Sequence, residues 1–285
     1  NFKRQYMSIK KQIDSSIQSV LNESAFSSGK YVQNFENKFS NYIGSKYCVA
    51  VNNGTSALHA ALLALDIKPG DEVLVPSFSF FATCESVSLT GATPIFVDSD
   101  YQNFNLDLED LESKINSNTK AIICVHLYGQ SCDMNKLKEI SNKYNLYLIE
   151  DAAQAHGAEY MNQKVGTFGD FSCFSFYPTK NLGAYGEGGA VLTDNKIHYE
   201  KLQSIRNHGS IKQYHHNIIG HNFRMSGFQG AILSIKLDYL DQWNSIRLRN
   251  AKLYNTYLNK INGVQIPEIL DEYKHVFHQY VIKVK

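Results

Sequence analysis

The feature that most constrains this chain is a regular alternation of short apolar runs with stretches of helical periodicity. The runs are Tyr47–Val51, Glu72–Pro76, Pro94–Val97, Ala121–Leu127, Leu146–Glu150, Ser172–Phe176 and Ala190–Thr193, rich in Val, Ile, Phe and Cys. Several are apolar at successive positions, as a strand covered on both faces must be. Between them lie helical stretches at Ser56–Leu65, Ala82–Leu89, Leu108–Ile115 and Met134–Tyr144, with turn signals such as Pro69-Gly70-Asp71 and Asn116–Asn118. Strand, helix and strand at this spacing predict an α/β fold with a doubly wound, mostly parallel sheet. Ligands of such sheets bind beyond the carboxyl ends of the strands, so the chemistry is sought there.

Outside this pattern, Asn1–Leu21 carries an apolar stripe at Phe2, Tyr6, Ile9, Ile13, Ile17 and Leu21, suited to packing on another surface. A long helical pattern runs from Gly227 to about Leu258, and the alternation His275–Ile282 predicts a late strand. These signals divide the chain into a large domain, residues 1–240, and the start of a smaller C-terminal α/β domain, residues 241–285.

Composition removes several classes of function. At 285 residues and 43% hydrophobic, the chain can bury a substantial core, which excludes wholesale disorder. Lys and Arg number 28 against 27 Asp and Glu, so no basic surplus marks it for nucleic acid or an anionic membrane. No apolar run approaches the ~20 residues that span a bilayer, and Asn1–Asp14 is polar and lysine-rich rather than signal-like. A soluble, cytoplasmic protein is expected. Five cysteines, widely spaced and without a C-x-x-C pair, read as reduced core thiols, and no metal site is expected.

Three segments fall at predicted strand ends. Asn52-Asn53-Gly54-Thr55-Ser56 opens a helix after the first run, where glycine, hydroxyls and a helix N-terminus suit an anion. Leu146–Asp151 ends in two acids, and because side chains alternate, only one of Glu150 and Asp151 can address a given ligand. Ser172–Phe176 is followed by Tyr177-Pro178-Thr179-Lys180 and a glycine-rich stretch, where a desolvated lysine becomes a usable amine nucleophile. Singly, each has a plain structural explanation as a helix cap, a turn former or a solvated lysine. Together they match what pyridoxal phosphate demands: a lysine, an acid for the pyridine nitrogen and a phosphate cradle.

Here the chain resembles the DegT/DnrJ/EryC1/StrS sugar aminotransferases. The likeness rests on N-N-G-T-S-A-L, P-S-F-S-F-F-A-T, G-A-T-P-I-F-V-D, E-D-A-A-Q-A-H-G, F-S-F-Y-P-T-K-N-L-G and G-H-N-F-R-M, in that order from Phe2 to Lys285. H-L-Y-G-Q-S-C-D-M resembles most the branch acting on nucleotide-linked 3-keto-6-deoxyhexoses. The resemblance implies the fold type I of pyridoxal-phosphate-dependent transferases, with Lys180 as the Schiff-base lysine and Asp151 as partner of the pyridine nitrogen. It implies Gln154 on the ring hydroxyl, Phe80 stacked on the ring, and Gly54, Thr55 and Ser175 on the phosphate. Asn222 would reach the phosphate held by a neighbouring subunit, in a homodimer with shared sites, although Arg224 lies in the same motif. His156 would line the sugar pocket. Glutamate is the implied amino donor and a dTDP-linked keto sugar the implied acceptor. Relatives continue past Lys285, so the small domain is expected to be incomplete. The alternatives are a 4-keto-sugar aminotransferase, a sugar 3-dehydratase (whose members carry histidine where this chain has Lys180), and a non-catalytic regulatory binder of cofactor or sugar nucleotide.

Overall fold

The computed structural model describes residues 1–212 and 214–285. Helices α1 (Phe2–Asn22) and α2 (Lys30–Ile43) precede β1 (Tyr47–Val51). The chain then alternates through α3 (Gly54–Ala64), β2 (Glu72–Pro76), α4 (Ala82–Ser88), β3 (Thr93–Val97), α5 (Leu108–Ser113), β4 (Thr119–Val125), α6 (Met134–Tyr144) and β5 (Tyr147–Asp151). A short hairpin, β6 (Glu159–Tyr160) and β7 (Gln163–Lys164), leads to β8 (Phe171–Ser175) and β9 (Gly189–Thr193). Helices α7 (Lys196–Arg206), α8 (Gly227–Leu237) and α9 (Leu240–Leu258) follow.

Among the described residues, seven strands form the main sheet in the order β1-β9-β8-β5-β4-β2-β3. Only β9 runs against the others, pairing antiparallel with both β1 and β8. The expected mostly parallel, doubly wound sheet is therefore what the chain forms. Its two faces follow from the period of two along each strand. Val49, Val51, Val73, Val75, Ile123, Ile149 and Val191 pack toward α3. The alternate positions Cys48, Ala50, Phe174, Ala190 and Leu192 pack with α2 and α8, and Leu74, Ile122 and Leu148 with α6. Helix α3 is buried nearly all round from Ser56 to Leu62, which explains why its sequence is apolar without a polar face. Each such Leu, Ile or Val contributes about 1.5–3 kcal/mol by leaving water.

Local signals set the element ends. Asp107 and Asp133 cap α5 and α6 with their carboxylates, and Asn145, left-handed at φ 53°, ends α6 just before β5. A partly buried ion pair, Arg206–Glu36 at 2.5 Å, joins α7 to α2, and both side chains also bond the backbone of Ala50 in β1. Ile9 and Ile13 of α1 pack on Ile232 of α8, as the stripe predicted.

Two expectations fail. The pattern from Gly227 to Leu258 is two helices, broken at Asp238–Tyr239. The alternating stretch His275–Ile282 is not a strand; only Tyr273–Lys274 before it and Lys283–Val284 after it pair as strands. His275, Val276 and Phe277 are all buried in succession, so no polar face remains for a half-exposed strand. The backbone of this stretch bonds a loop instead, with Val276 N–H donating to Gly129 O (3.0 Å) and Gln279 N–H to Tyr128 O (3.3 Å). Among the described residues no helix is long and apolar enough to cross a membrane.

Candidate active site

The carboxyl end of β8 meets the first turn of α3, with the ends of β5 and β4 beside it, and Asp151, Gln154, Ser175 and Lys180 follow from these strand ends. Asp151 closes β5 and is only 6% exposed. Its Oδ2 accepts from Thr83 Oγ1 at 3.0 Å and its Oδ1 from Ala153 N–H at 3.1 Å. Burial pushes its carboxyl above the usual carboxylate range, against the pull of those donors and of the Lys180 charge. Lys180 follows β8, its backbone N–H turned back onto Tyr177 O at 2.9 Å. Burial holds its amine below the ordinary lysine value, and the Asp151 charge works the other way. The two groups are thus electrostatic neighbours across β5 and β8, each shifted toward its neutral form by lost water.

Glu150, one residue earlier, points the other way, as alternation requires. It is fully buried and accepts from Gly166, Phe168 and Gly169 N–H at 2.7–2.8 Å and from the His126 ring at 3.0 Å. Burial pushes its carboxyl up, but these donors outweigh burial and leave it below its ordinary value. Glu150 therefore ties the loop 166–169 to β5, and every donor it needs is already present.

The anion cradle is built by close backbone approach. Asn53 caps α3, accepting from Ser56 N–H at 2.8 Å, and the earlier N–H groups of a first helical turn have no acceptor inside the helix. A Cβ on Gly54 would lie 2.7 Å from the Ser175 Cβ, so only glycine lets the turn close on the end of β8. At Gly189 a Cβ would come 2.3 Å from Asn53 O. Gly54, Thr55 and Ser175 are thereby brought to one spot, with positive helix-end potential directed outward. An acid, a partly buried amine and an anion cradle on one sheet edge fit the demands of pyridoxal phosphate.

Gln154 lies on the loop after β5, where its Oε1 accepts from Tyr128 N–H at 2.6 Å, leaving the amide NH₂ as the free end. Tyr128 holds a left-handed backbone at φ 59°, uncommon for a bulky residue. Phe80 is 73% exposed, one turn before Thr83, and its carbonyl accepts from Thr83 N–H at 3.2 Å. The backbone of Phe80 is thus tied to the turn that carries Thr83, the residue bonded to Asp151. Asn222 is exposed in a strip that runs beside the β1–α3 turn of its own chain, where Asn52 N–H donates to Phe223 O at 2.8 Å and Val51 bridges Arg224. It is not drawn into the Lys180–Asp151 cluster by any bond among the described residues.

One expectation is corrected. His156 does not line an open pocket; it is fully buried between Phe174 and Phe176, at ring distances of 5.4 and 5.6 Å. Small neighbours at Ala152, Ala155 and Ala158 leave room for the ring inside the core.

The structure also adds residues that sequence reading missed. Thr83 supports Asp151, as above. Asn181, next to Lys180, is buried and donates to Asn244 Oδ1 (2.9 Å) and Val276 O (3.0 Å), anchoring the lysine's neighbour to α9 and the C-terminal strip. Cys124, His126 and Cys132 approach closely enough to suggest a metal centre. However, His126 Nδ1 accepts from Cys132 N–H, its Nε2 faces Glu150, and Cys132 Sγ donates to Val125 O, so the cluster is satisfied internally.

The sheet topology and this edge define an aminotransferase of fold type I, the pyridoxal-phosphate-dependent class. The chain belongs to the DegT/DnrJ/EryC1/StrS aminotransferase family, whose model matches residues 7–285. It is 46% identical over 279 residues to a dTDP-3-amino-3,6-dideoxy-alpha-D-galactopyranose transaminase of Aneurinibacillus thermoaerophilus, covering 98% of this chain and 77% of that one. It is 43% identical to a pleiotropic regulatory protein of Geobacillus stearothermophilus, covering 98% and 76%. Among solved structures it is similar to S. venezuelae DesV in complex with a ketimine intermediate, with TM-score 0.97, 38% identity and coverage of 100% and 76%. The chain therefore spans about three quarters of these relatives' length.

Proposed function

We propose that this chain transfers an amino group to the ketone of a nucleotide-linked sugar, using pyridoxal 5′-phosphate held at the edge described above. The observation that carries the reading is the pairing of buried Asp151 with partly buried Lys180 beside the α3 cradle, each shifted toward neutrality. When bound, the cofactor supplies an electron sink that acidifies the carbon bearing the amine. The protein's part is to hold and move protons around it. Lys180 provides an amine that desolvation keeps nucleophilic and able to carry a proton between carbon and cofactor. Asp151 holds the pyridine nitrogen protonated by its negative charge. The free NH₂ of Gln154 is the donor for the ring oxygen, and Phe80 is the platform for the ring face. Gly54, Thr55 and Ser175 hold the phosphate at the helix N-terminus.

The acceptor in this reading is a dTDP-linked 3-keto-6-deoxyhexose and the donor is glutamate. The name of the Aneurinibacillus relative supports the nucleotide and the ring position. Tyr128 and Gln154 follow adjacent strands, β4 and β5, and the bond between them joins the two loops into one wall, with His156 behind it in the core. We place the enzyme in the cytoplasm as a homodimer, with Asn222 reaching the partner's phosphate, and set its domain boundary at residue 240. Incubation with glutamate and a panel of 3-keto and 4-keto sugars on dTDP, UDP and GDP, read by mass spectrometry, tests it. Amination of the dTDP 3-keto sugar is the expected result. The Geobacillus name favours a second reading as a regulatory protein, for which no sugar in the panel would be aminated.

A further inference from the structure

Asp151 has a supporting pair that the reading above leaves without a role. Thr83 is 2% exposed, and its hydroxyl lies 3.0 Å from Asp151 Oδ2. Behind it, Ser79 Oγ lies 3.1 Å from Thr83 Oγ1. A hydroxyl carries one hydrogen, and an ionised carboxylate can only accept. With Asp151 ionised, the Thr83 hydrogen must therefore go to Asp151, and Ser79 must donate to Thr83. The two hydroxyls then point the same way, into the acid.

We infer that Thr83, backed by Ser79, is a positioning residue that keeps Asp151 ionised and aimed at the cofactor's ring nitrogen. This rests on the role of Asp151 given above. The titratable groups facing Asp151 are Lys180 after β8, His126 after β4, and the thiols of Cys173 and Cys124 on the flanking strands. Only Lys180 and His126 can lend positive charge, and the Nδ1 of His126 is committed as an acceptor. The neutral donors Thr83 and Ala153 are thus the fixed support for the charge, one on each oxygen. Without Thr83, burial pushes the carboxyl further toward its neutral form, in which it no longer attracts a protonated ring nitrogen.

The test uses the cofactor-loaded protein with Thr83→Val, Thr83→Ser and Ser79→Ala, with Asp151→Asn as reference. The readouts are the NMR shift of an isotope-labelled ring nitrogen against pH, the cofactor dissociation constant, and the half-reaction rate with glutamate. Thr83→Val keeps the shape and removes the hydroxyl. It should let the ring nitrogen lose its proton at lower pH and slow the half-reaction about ten- to a hundredfold, the value of one hydrogen bond to a charged group. Thr83→Ser should restore both, and Ser79→Ala should move both in the same direction by less. A merely structural Thr83 predicts the reverse order, with the serine variant impaired and the valine variant normal. An unchanged nitrogen profile in Thr83→Val, with a displaced one in Asp151→Asn, overturns the inference and leaves the function standing. An unchanged profile in Asp151→Asn overturns the role of Asp151 itself. If Thr83→Val does not fold, Ser79→Ala decides: an unmoved profile rejects the inference and a moved one supports it.

Discussion

The two faces of the sheet at the end of β5 put adjacent acids to different uses. On one face Glu150 collects three backbone N–H donors and an imidazole, and its carboxyl sits below its ordinary value. On the other, Asp151 has two donors, sits above its ordinary value, and faces Lys180. Both are buried, so burial does not separate them. The number of protein donors does. An acid whose lone pairs are filled by its own chain is a fastener, whereas one left short of donors can answer a ligand.

Removing Lys180 should have the largest effect. In Lys180→Ala, borohydride should no longer fix the cofactor to the protein and turnover should be lost altogether. Peptide mapping after reduction checks this; an adduct on another lysine would displace the assignment. The acids come next and should cross over. Asp151→Asn should fold normally and lose roughly a thousandfold in half-reaction rate, on the scale of removing one preorganised charge contact. Glu150→Gln should lose about 3 kcal/mol of stability, because it leaves buried donors facing a neutral amide, with its rate falling only as far as folded protein is lost. Chemical denaturation beside single-turnover kinetics would resolve the pair. If Glu150→Gln loses rate while fully folded, the division between fastener and ligand-facing acid fails.

Much of this edge was legible in the sequence because its residues sit where strand ends must. The runs at Tyr47–Val51 and Glu72–Pro76 match the strands residue for residue, and a strand ending in Glu150-Asp151 must turn one acid to each face. What was not legible depends on contacts made far along the chain. Thr83 reads as one hydroxyl in a short helix until folding brings it 68 positions away onto Asp151. His156 reads as a pocket residue until Phe174 and Phe176 close over it. The alternation at His275–Ile282 obeys the strand rule locally but is overruled by Asn181 and the Gly129 loop, which take its backbone bonds.

Gln154 sharpens the comparison at smaller scale, since its side chain is divided between fastening and ligand. Its carbonyl is fixed by Tyr128 N–H, so only the NH₂ end is available. Gln154→Glu keeps the acceptor and loses the donor, whereas Gln154→Ala loses both. Both should weaken cofactor binding about tenfold, the range for one hydrogen bond. Only the alanine variant should also lower the melting temperature of the cofactor-free protein, by freeing Tyr128 from its left-handed turn. Equal melting temperatures in the two variants would mean that the Tyr128 bond carries no strain.

The smallest expected effect separates by pH two buried groups that share one face of the sheet, His156 and Glu150. Burial pushes His156 down to about 3 from an ordinary 6.5, and the Lys180 charge adds to the shift. The folded ring stays neutral while the unfolded one gains a proton as pH falls below 6.5. The unfolded state then binds more protons, so stability declines as pH falls from about 6.5 toward 3, by up to about 1.4 kcal/mol per pH unit for this group. Glu150 has the opposite kind of shift, from an ordinary 4.5 downward. Its stabilisation is complete above 4.5 and is lost only as pH falls below that value. Asp151, shifted upward, has the reverse sign and loses stability as pH rises through its folded value. His156→Phe should therefore make the decline between pH 6.5 and 4.5 shallower, the remainder coming from His59, His275 and His278, which burial also pushes down, while Glu150→Gln should leave the slope unchanged there and make it shallower below. Unfolding free energies at half-unit pH steps for both variants would show the two windows. A common window would mean that His156 and Glu150, which lie on the same face of the sheet, titrate as one unit.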